Sequence, residues 1–290
     1  MRVAVVGHVE WITFARVDRV PEAGGIAHAT ETWSGAGGGG GVAAVQLAKL
    51  AGTCELFTAF GDDETGRRAA RELEAAGVRV HAAWRPDPTR AAVCLVDREG
   101  ERTITTLGLR LEARGDDALP WDLLEDADAV YVTAGDPAAI RRARSAEVMV
   151  VTTRHLGVLA ASGVRADAVV GSGRDPMERY DPAALAHAPP GVVVLTESAD
   201  GGRYETAAGD RGRYEPVPPR GTIVDTYGSG DSFQAGLAFA LGAGHDLVDA
   251  MRLAARCGAA ALTGRGPTGG QLTAADLEAG GTPPASTVRS

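Results

Sequence analysis

The chain has no asparagine and a single lysine, Lys49. No site in it can use an Asn amide, and at most one can use a Lys ammonium. Arginine and alanine are plentiful, as coding bias against Asn and Lys would produce. Cysteine is scarce: Cys54, Cys94 and Cys257 are odd in number, far apart and without a CxxC. That argues against a zinc ribbon and a disulfide framework alike, and makes a reduced cytoplasm the expected compartment. No run of about 18 apolar residues occurs, the length a bilayer span requires, and the apolar opening Val3–Val6 is too short for a signal segment. Basic excess is missing as well. Lys and Arg total 29 against 38 Asp and Glu, a net charge of −9 and a sequence pI near 5.2. Neither nucleic acid nor membrane is expected as a partner. A bound phosphate compound would have to be met by backbone donors, helix ends or a metal.

Several chemical motifs are also absent. There is no GxxxxGK[ST], and Lys49 lies in no such loop, so a P-loop is excluded. No GxGxxG follows the first strand, which disfavours a dinucleotide enzyme. There is no GxSxG elbow and no HExxH. The six histidines are scattered, and each reads as a surface or satisfied core residue.

What remains is 290 residues, 44% apolar and 23% charged, enough for one large α/β domain. Strand signals at Arg2–Val6, Glu55–Ala59, Val78–Ala83, Ala129–Thr133, Val148–Thr152, Ala168–Val170 and Val192–Thr196 alternate with helical stretches such as Val42–Leu50 and Glu64–Ala76. This alternation predicts a doubly wound, mostly parallel sheet with helices on both faces. Trp11–Trp33 and Arg90–Leu107 break the rhythm by alternating apolar and polar residues. The second contains a hairpin around Asp97-Arg98-Glu99-Gly100-Glu101. Inserted hairpins of this kind form a flap or lid, here from about 11–34 and 90–107. Residues 1–280 form the domain, and 281–290 are expected to fray.

The sharpest motif is Asp225-Thr226-Tyr227-Gly228-Ser229-Gly230-Asp231, between apolar Ile223-Val224 and a buried helix from Phe233 to Leu241. Gly228 and Gly230 permit a sharp turn and close approach of a ligand. The first amides of the helix are free and its dipole is positive there, which suits an anion. Asp231 stands where a carboxylate could take a proton from an alcohol beside that anion. An Asp cap with a glycine turn is the plainer reading, and the strand–loop–helix context favours the anion site over it. A second run, Gly35-Ala36-Gly37-Gly38-Gly39-Gly40-Gly41, leads without spacing into an Ala-rich helix. It reads as a linker or as backbone approaching a ligand. In Phe60–Gly66 the acidic residues fit a first helical turn. Leu195–Tyr204 reads as a strand, a turn and a hairpin arm.

Together and in this order these pieces resemble the ribokinase (PfkB) family of carbohydrate and nucleoside kinases, from Arg2 to about Thr273. Asp225–Asp231 resembles its C-terminal signature and Gly37–Gly52 its N-terminal glycine-rich one. Gly61-Asp62-Asp63 with Gly66, the Gly100-Glu101-Arg102 turn, and Thr196 with Gly201 also fall at family positions. The resemblance implies a ribokinase-like fold with a small β lid and an ATP:alcohol phosphotransferase that uses Mg²⁺. Asp231 would be the base and the backbone of Gly228, Ser229 and Gly230 the anion hole. Thr196, Gly201 and Thr226 would lie along the nucleotide, with Gly38, Gly39 and Glu10 toward the acceptor. Asp175, in Ser172-Gly173-Arg174-Asp175, would take the acidic metal role. The resemblance also implies a monovalent cation near Thr263–Gly269 in some members and a homodimer through the lid. Two positions depart from the pattern. Ile12 stands where sugar kinases carry an Asp, and Val42 replaces the Asn of the glycine-rich helix start; neither can hydrogen-bond a sugar hydroxyl. The acceptor is therefore expected to be a nucleoside or a sugar bearing an apolar group. The competing reading is a non-catalytic ligand-binding or regulatory protein on a kinase scaffold.

Overall fold

The computed structural model describes residues 1–279; the tail expected to fray, 281–290, lies outside them. In chain order the elements are β1 (Val3–Val6), β2 (Glu10–Arg16), β3 (Glu31–Gly37), α1 (Gly38–Ala51), β4 (Cys54–Gly61), α2 (Glu64–Ala75), β5 (Val78–Arg85), β6 (Ala91–Val96) and β7 (Arg102–Leu107). They continue with β8 (Ala129–Val132), α3 (Pro137–Ala143), β9 (Val148–Thr152), α4 (Leu156–Ser162), β10 (Ala168–Ser172), β11 (Val192–Thr196), β12 (Gly202–Thr206), β13 (Arg211–Tyr214), α5 (Ser229–Gly242), α6 (Leu247–Ala261) and α7 (Ala274–Ala279).

Nine strands form one sheet in the order β13-β12-β11-β10-β9-β8-β1-β4-β5. It is parallel from β5 through β11 and antiparallel only at the β12–β13 edge. The central strands are continuous apolar runs because both of their faces are covered. In β1, Val3 and Val5 join the core shared with α1, α5 and α6, whereas Ala4 and Val6 join the core with α3 and α4. Cys54, Cys94 and Cys257 are all buried and free. No described helix is long and apolar enough to cross a membrane.

The two stretches that broke the alternation form a second sheet in the order β3-β2-β6-β7. Its β2–β6 pair is parallel and its two outer pairs antiparallel. The strands run further than 11–34: β2 begins at Glu10 and β3 ends at Gly37. Ile12, Phe14, Ala92, Cys94 and Val96 point from this sheet into a small core with Val42 and Tyr227.

The glycine run is no linker. Helix α1 begins at Gly38, so Gly38–Gly41 are its own first turn. The glycines allow this turn to press on the end of β1. A Cβ on Gly40 would lie 2.7 Å from the Gly7 carbonyl carbon and 2.7 Å from the His8 oxygen. Backbone cannot yield there as a side chain can. Gly40→Ala is expected to lower the free energy of unfolding by about 2 kcal/mol or more. Chemical denaturation checks this, and a neutral substitution would contradict the packing described.

Candidate active site

Every strand from β1 to β11 that runs parallel ends at the same edge of the large sheet, the edge at which open α/β sheets bind ligands. His8 follows β1, Thr133 follows β8, Arg154 follows β9, and Ser172 and Thr196 close β10 and β11. Helix α5 starts at this edge. Gly228 is its cap, in the left-handed region at φ 77°, without a side-chain cap bond. The first backbone bond of the turn is Ser232 N–H to Gly228 O at 2.9 Å. Among the described residues nothing accepts from the amides of Gly228, Ser229, Gly230 or Asp231. Gly230 is exposed, and a Cβ placed on it would meet nothing within 4 Å. The cup of free N–H groups is therefore open.

The loop before α5 is held from both sides. Asp225 is fully buried and accepts from Tyr227 N at 2.8 Å and Gly266 N at 3.1 Å. The Thr263–Gly269 segment, expected to relate to a monovalent cation, thus braces the loop. Tyr227 Oη accepts from Gly38 N at 2.9 Å, joining the starts of α1 and α5. The small sheet also docks here: Thr226 N donates to Gly100 O at 3.0 Å and Arg16 Nη2 to Val224 O at 3.1 Å.

Asp231 lies in the first turn of α5, facing the glycine-rich start of α1. A Cβ on Gly39 would lie 2.9 Å from Asp231 Oδ1, 2.7 Å from Thr133 Oγ1 and 3.6 Å from His8 Cε1. One on Gly38 would meet the Glu10 N and His8 O at 3.1 Å each. The expected residues Asp231, Gly38, Gly39 and Glu10 thus converge. Burial, then repulsion from Glu178, raises the Asp231 pKa to about 6, against the opposing pull of Arg102 and Arg154.

Glu10 is buried between His8 Nε2 at 3.7 Å and Arg90 Nε at 3.2 Å. Burial raises its pKa, while Arg90 and Arg110 oppose the rise. His8 is not a satisfied core histidine. Its Nδ1 is buried without a partner, and burial, followed by the charges of Arg110 and Arg90, pushes its pKa down to about 3. His8, Thr133, Arg90 and Arg110 carry no local sequence signature; the topology brings them together.

Thr196 closes β11 beside Ser172 of β10, with its Oγ1 donating to Gly171 O at 3.4 Å. Gly201, at φ 76°, turns the chain where a Cβ would strike the Tyr214 carbonyl. Asp175 caps a short 3₁₀ turn and pairs with Arg154 Nη2 at 2.5 Å. Glu178, overlooked in the sequence, binds Arg154 Nε at 2.7 Å and accepts from Ser172 N at 2.8 Å. Both carboxylates are therefore tied to one guanidinium, and no cluster of three metal-ligating side chains occurs among the described residues.

The apolar replacements have a different meaning from the one the sequence suggested. Ile12 and Val42 are both 0% exposed and sit in one core with Phe14 and Tyr227. They face each other's neighbours, not an open pocket, so they offer no apolar surface to an acceptor. A cavity of about 660 Å³ opens elsewhere, at the β11–β13 edge, lined by Tyr180, Leu195, Tyr204 and Arg211 among others; none of the expected site residues line it.

Comparisons with known proteins bear on the family and the fold. A family model described as pfkB family carbohydrate kinase matches residues 1–161 and 158–274. An ATP-dependent ribose-1-phosphate kinase from Halopiger xanaduensis is 31% identical over 279 residues, covering 89% of this chain and 91% of the relative. In fold the chain is similar to a microbiome-derived acarbose kinase, with TM-score 0.79, 24% identity and coverage of 96% and 98%. It is also similar to an adenosine kinase from Sinorhizobium meliloti, with TM-score 0.76, 20% identity and coverage of 97% and 99%.

The raised Asp231 pKa carries a consequence for stability. With its folded value near 6 against 3.8 when unperturbed, the group favours the fold below pH 3.8 and loses that contribution as pH rises through 6. Asp231→Asn, always neutral, should therefore be more stable than wild type by roughly 2–3 kcal/mol at pH 8, with the difference vanishing toward pH 4. Urea unfolding at the two pH values measures it. A variant no more stable than wild type at pH 8 would mean that the carboxylate is well solvated.

Proposed function

The chain belongs to the pfkB family of carbohydrate kinases, and from that premise we propose that it moves the terminal phosphoryl group of ATP to a hydroxyl of a small sugar, sugar derivative or nucleoside, with Asp231 as base. The observation that carries the reading is the half-buried Asp231 carboxylate, facing Gly39, in the same helical turn as amides that find no acceptor among the described residues. Asp231 takes the acceptor's hydroxyl proton. The acceptor oxygen then bonds to the terminal phosphorus as the bond to the bridging oxygen breaks, and ADP leaves. Charge on the moving phosphoryl group is met by the N–H groups of Ser229, Gly230 and Asp231 and by the α5 dipole. Gly228 supports them by turning the chain at positive φ. Thr196, Gly201 and Thr226 are assigned to the nucleotide side of this cup, and Gly38, Gly39 and Glu10 to the acceptor side.

Magnesium would supply charge neutralisation between the nucleotide's phosphates. The carboxylates present do not form a resident cage for it, since Asp175 and Glu178 are held by Arg154. The small sheet acts as the lid. Its bonds from Gly100 and Arg16 to the catalytic loop couple its position to the cup, and closure would exclude water from the transfer. The Halopiger relative is named for an acceptor that already carries a phosphate, so phosphorylated pentoses belong in the acceptor panel beside neutral sugars and nucleosides.

The buried Ile12 and Val42 favour a second reading, a binding protein that has lost turnover. The retained Asp231 speaks against it. The test is product formation from ATP and Mg²⁺ across the panel. With the accepted substrate, Asp231→Asn should lower kcat by about 10³-fold. Wild-type kcat/KM should fall as pH drops through about 6, because the base must be ionised. Full turnover in Asp231→Asn would remove the base from that role, and binding without product in the whole panel would favour the second reading.

A further inference from the structure

The acceptor side of the cup has an unusual balance of donors. Arg90 follows the loop into β6, and its side chain is 18% exposed. Among the described residues its one charged neighbour within ion-pair range is Glu10, at 3.2 Å from Nε, and that nitrogen is buried there without a hydrogen bond. Among the described residues the Arg90 guanidinium donates no hydrogen bond at all. A buried N–H normally finds an acceptor, because leaving it unpaired is costly, and the Arg90 Nε has none. Arg110, just after β7, also makes no hydrogen bond among these residues. Its nearest carboxylate is Glu112, at a loose 3.5 Å, and that same Glu112 oxygen already accepts from Gly135 N at 3.2 Å. His8, with its unpartnered Nδ1, reaches the same point over Gly39 as Asp231 and lies 3.7 Å from the Glu10 that pairs with Arg90.

The groups that would read neutral hydroxyls are missing from this place. Positions 12 and 42 are filled by the Ile12–Val42 core, and the chain has no Asn amide to offer. The polar groups left beside Gly38 and Gly39 are His8, Thr133 and Asp231, with Glu10 next to His8 and Arg90 next to Glu10. Each guanidinium presents a planar fork of donors that suits two oxygens of one phosphate. Glu10 and Glu112 keep the two cations in place but, as acceptors, leave most of their N–H groups free.

Resting on the kinase reading above, we propose that Arg90 and Arg110 form an anion seat at the acceptor end, and that the acceptor is a phosphorylated sugar whose phosphomonoester docks there while a hydroxyl faces Asp231. The electrostatics agree. The charges of Arg110 and Arg90 reach both His8 and Glu10, and after burial they are the largest influences on His8. His8 stays neutral beside the seat and can donate or accept a single hydrogen bond without adding charge. The seat and the α5 cup are separate, so the two phosphates of the reaction need not compete for one set of donors.

The experiment compares matched acceptors: ribose, ribose 1-phosphate, ribose 5-phosphate and, as a carboxylate control, ribonate. Turnover is measured for wild type, Arg110→Gln and Arg90→Met, and binding of the same compounds is measured by calorimetry without nucleotide. Wild type should prefer a phosphorylated ribose over ribose by about 100-fold in kcat/KM, and Arg110→Gln should cut that preference by about tenfold or more, chiefly through KM. Calorimetry should show the phosphorylated sugar binding wild type more tightly than the variant. If Arg90→Met fails to fold, the more exposed Arg110 variant still decides the matter. Equal use of ribose and its phosphates, or an unchanged preference in Arg110→Gln, overturns the seat while leaving the kinase reading intact. A preference for ribonate over the phosphates also overturns it. Arginine-dependent binding with no product from any compound would uphold the seat and overturn the kinase reading instead.

Discussion

At the start of α5 the amides of Gly228, Ser229, Gly230 and Asp231 find no acceptor among the described residues, and beside them stands a half-buried carboxylate. Neither feature is comfortable alone. Free amides at a helix start attract an anion, and a buried carboxylate repels one and resists its own charge. Set together they make a place where a proton can leave an alcohol while negative charge moves toward the amides. The surrounding architecture keeps this pair in register. Asp225 braces the loop from within, Tyr227 ties it to Gly38, and Gly100 holds it from the small sheet.

Close backbone packing makes this register achievable. The first turn of α1 is all glycine because it lies against Gly7 and His8, and this brings Gly39 into contact range of Asp231. Lys49, the single lysine, serves the same end. Its Nζ donates to Thr268 O, helping to anchor the loop that supplies Gly266 to Asp225. The one ammonium in the chain is thus structural, and the charged chemistry of the site falls to arginine.

Much of this was legible in the sequence, and the reasons are physical. The central strands announce themselves because burial on both faces leaves unbroken runs such as Val148–Thr152 and Val192–Thr196. The loop–helix around Asp231 is local, so spacing alone carries it, although Ile223-Val224 before the loop form no strand, contrary to what the sequence suggested; the resemblance to a kinase family covered nearly the whole chain. What could not be read was set by distant contacts. Glu178 is six residues from the end of β10 and is folded back to the site by Ser172 N and Arg154. His8, Arg90 and Arg110 come from separate segments joined by the two sheets. The burial of Ile12 and Val42 depends on the way β2 lies over α1, and from sequence they read as a changed binding surface when they are core. The glycine run likewise looks like a flexible spacer until its contact with β1 is seen.

The account rests on the α5 amides receiving the phosphoryl group in transit. Amide-resolved NMR of the protein with ADP, aluminium fluoride, Mg²⁺ and an accepted substrate tests this most directly, because the fluoride complex stands in for that group. The account requires the N–H resonances of Ser229, Gly230 and Asp231 to move strongly downfield when the complex forms. If those resonances stay in place while amides elsewhere respond, the phosphoryl group is held by another part of the protein and the account is wrong.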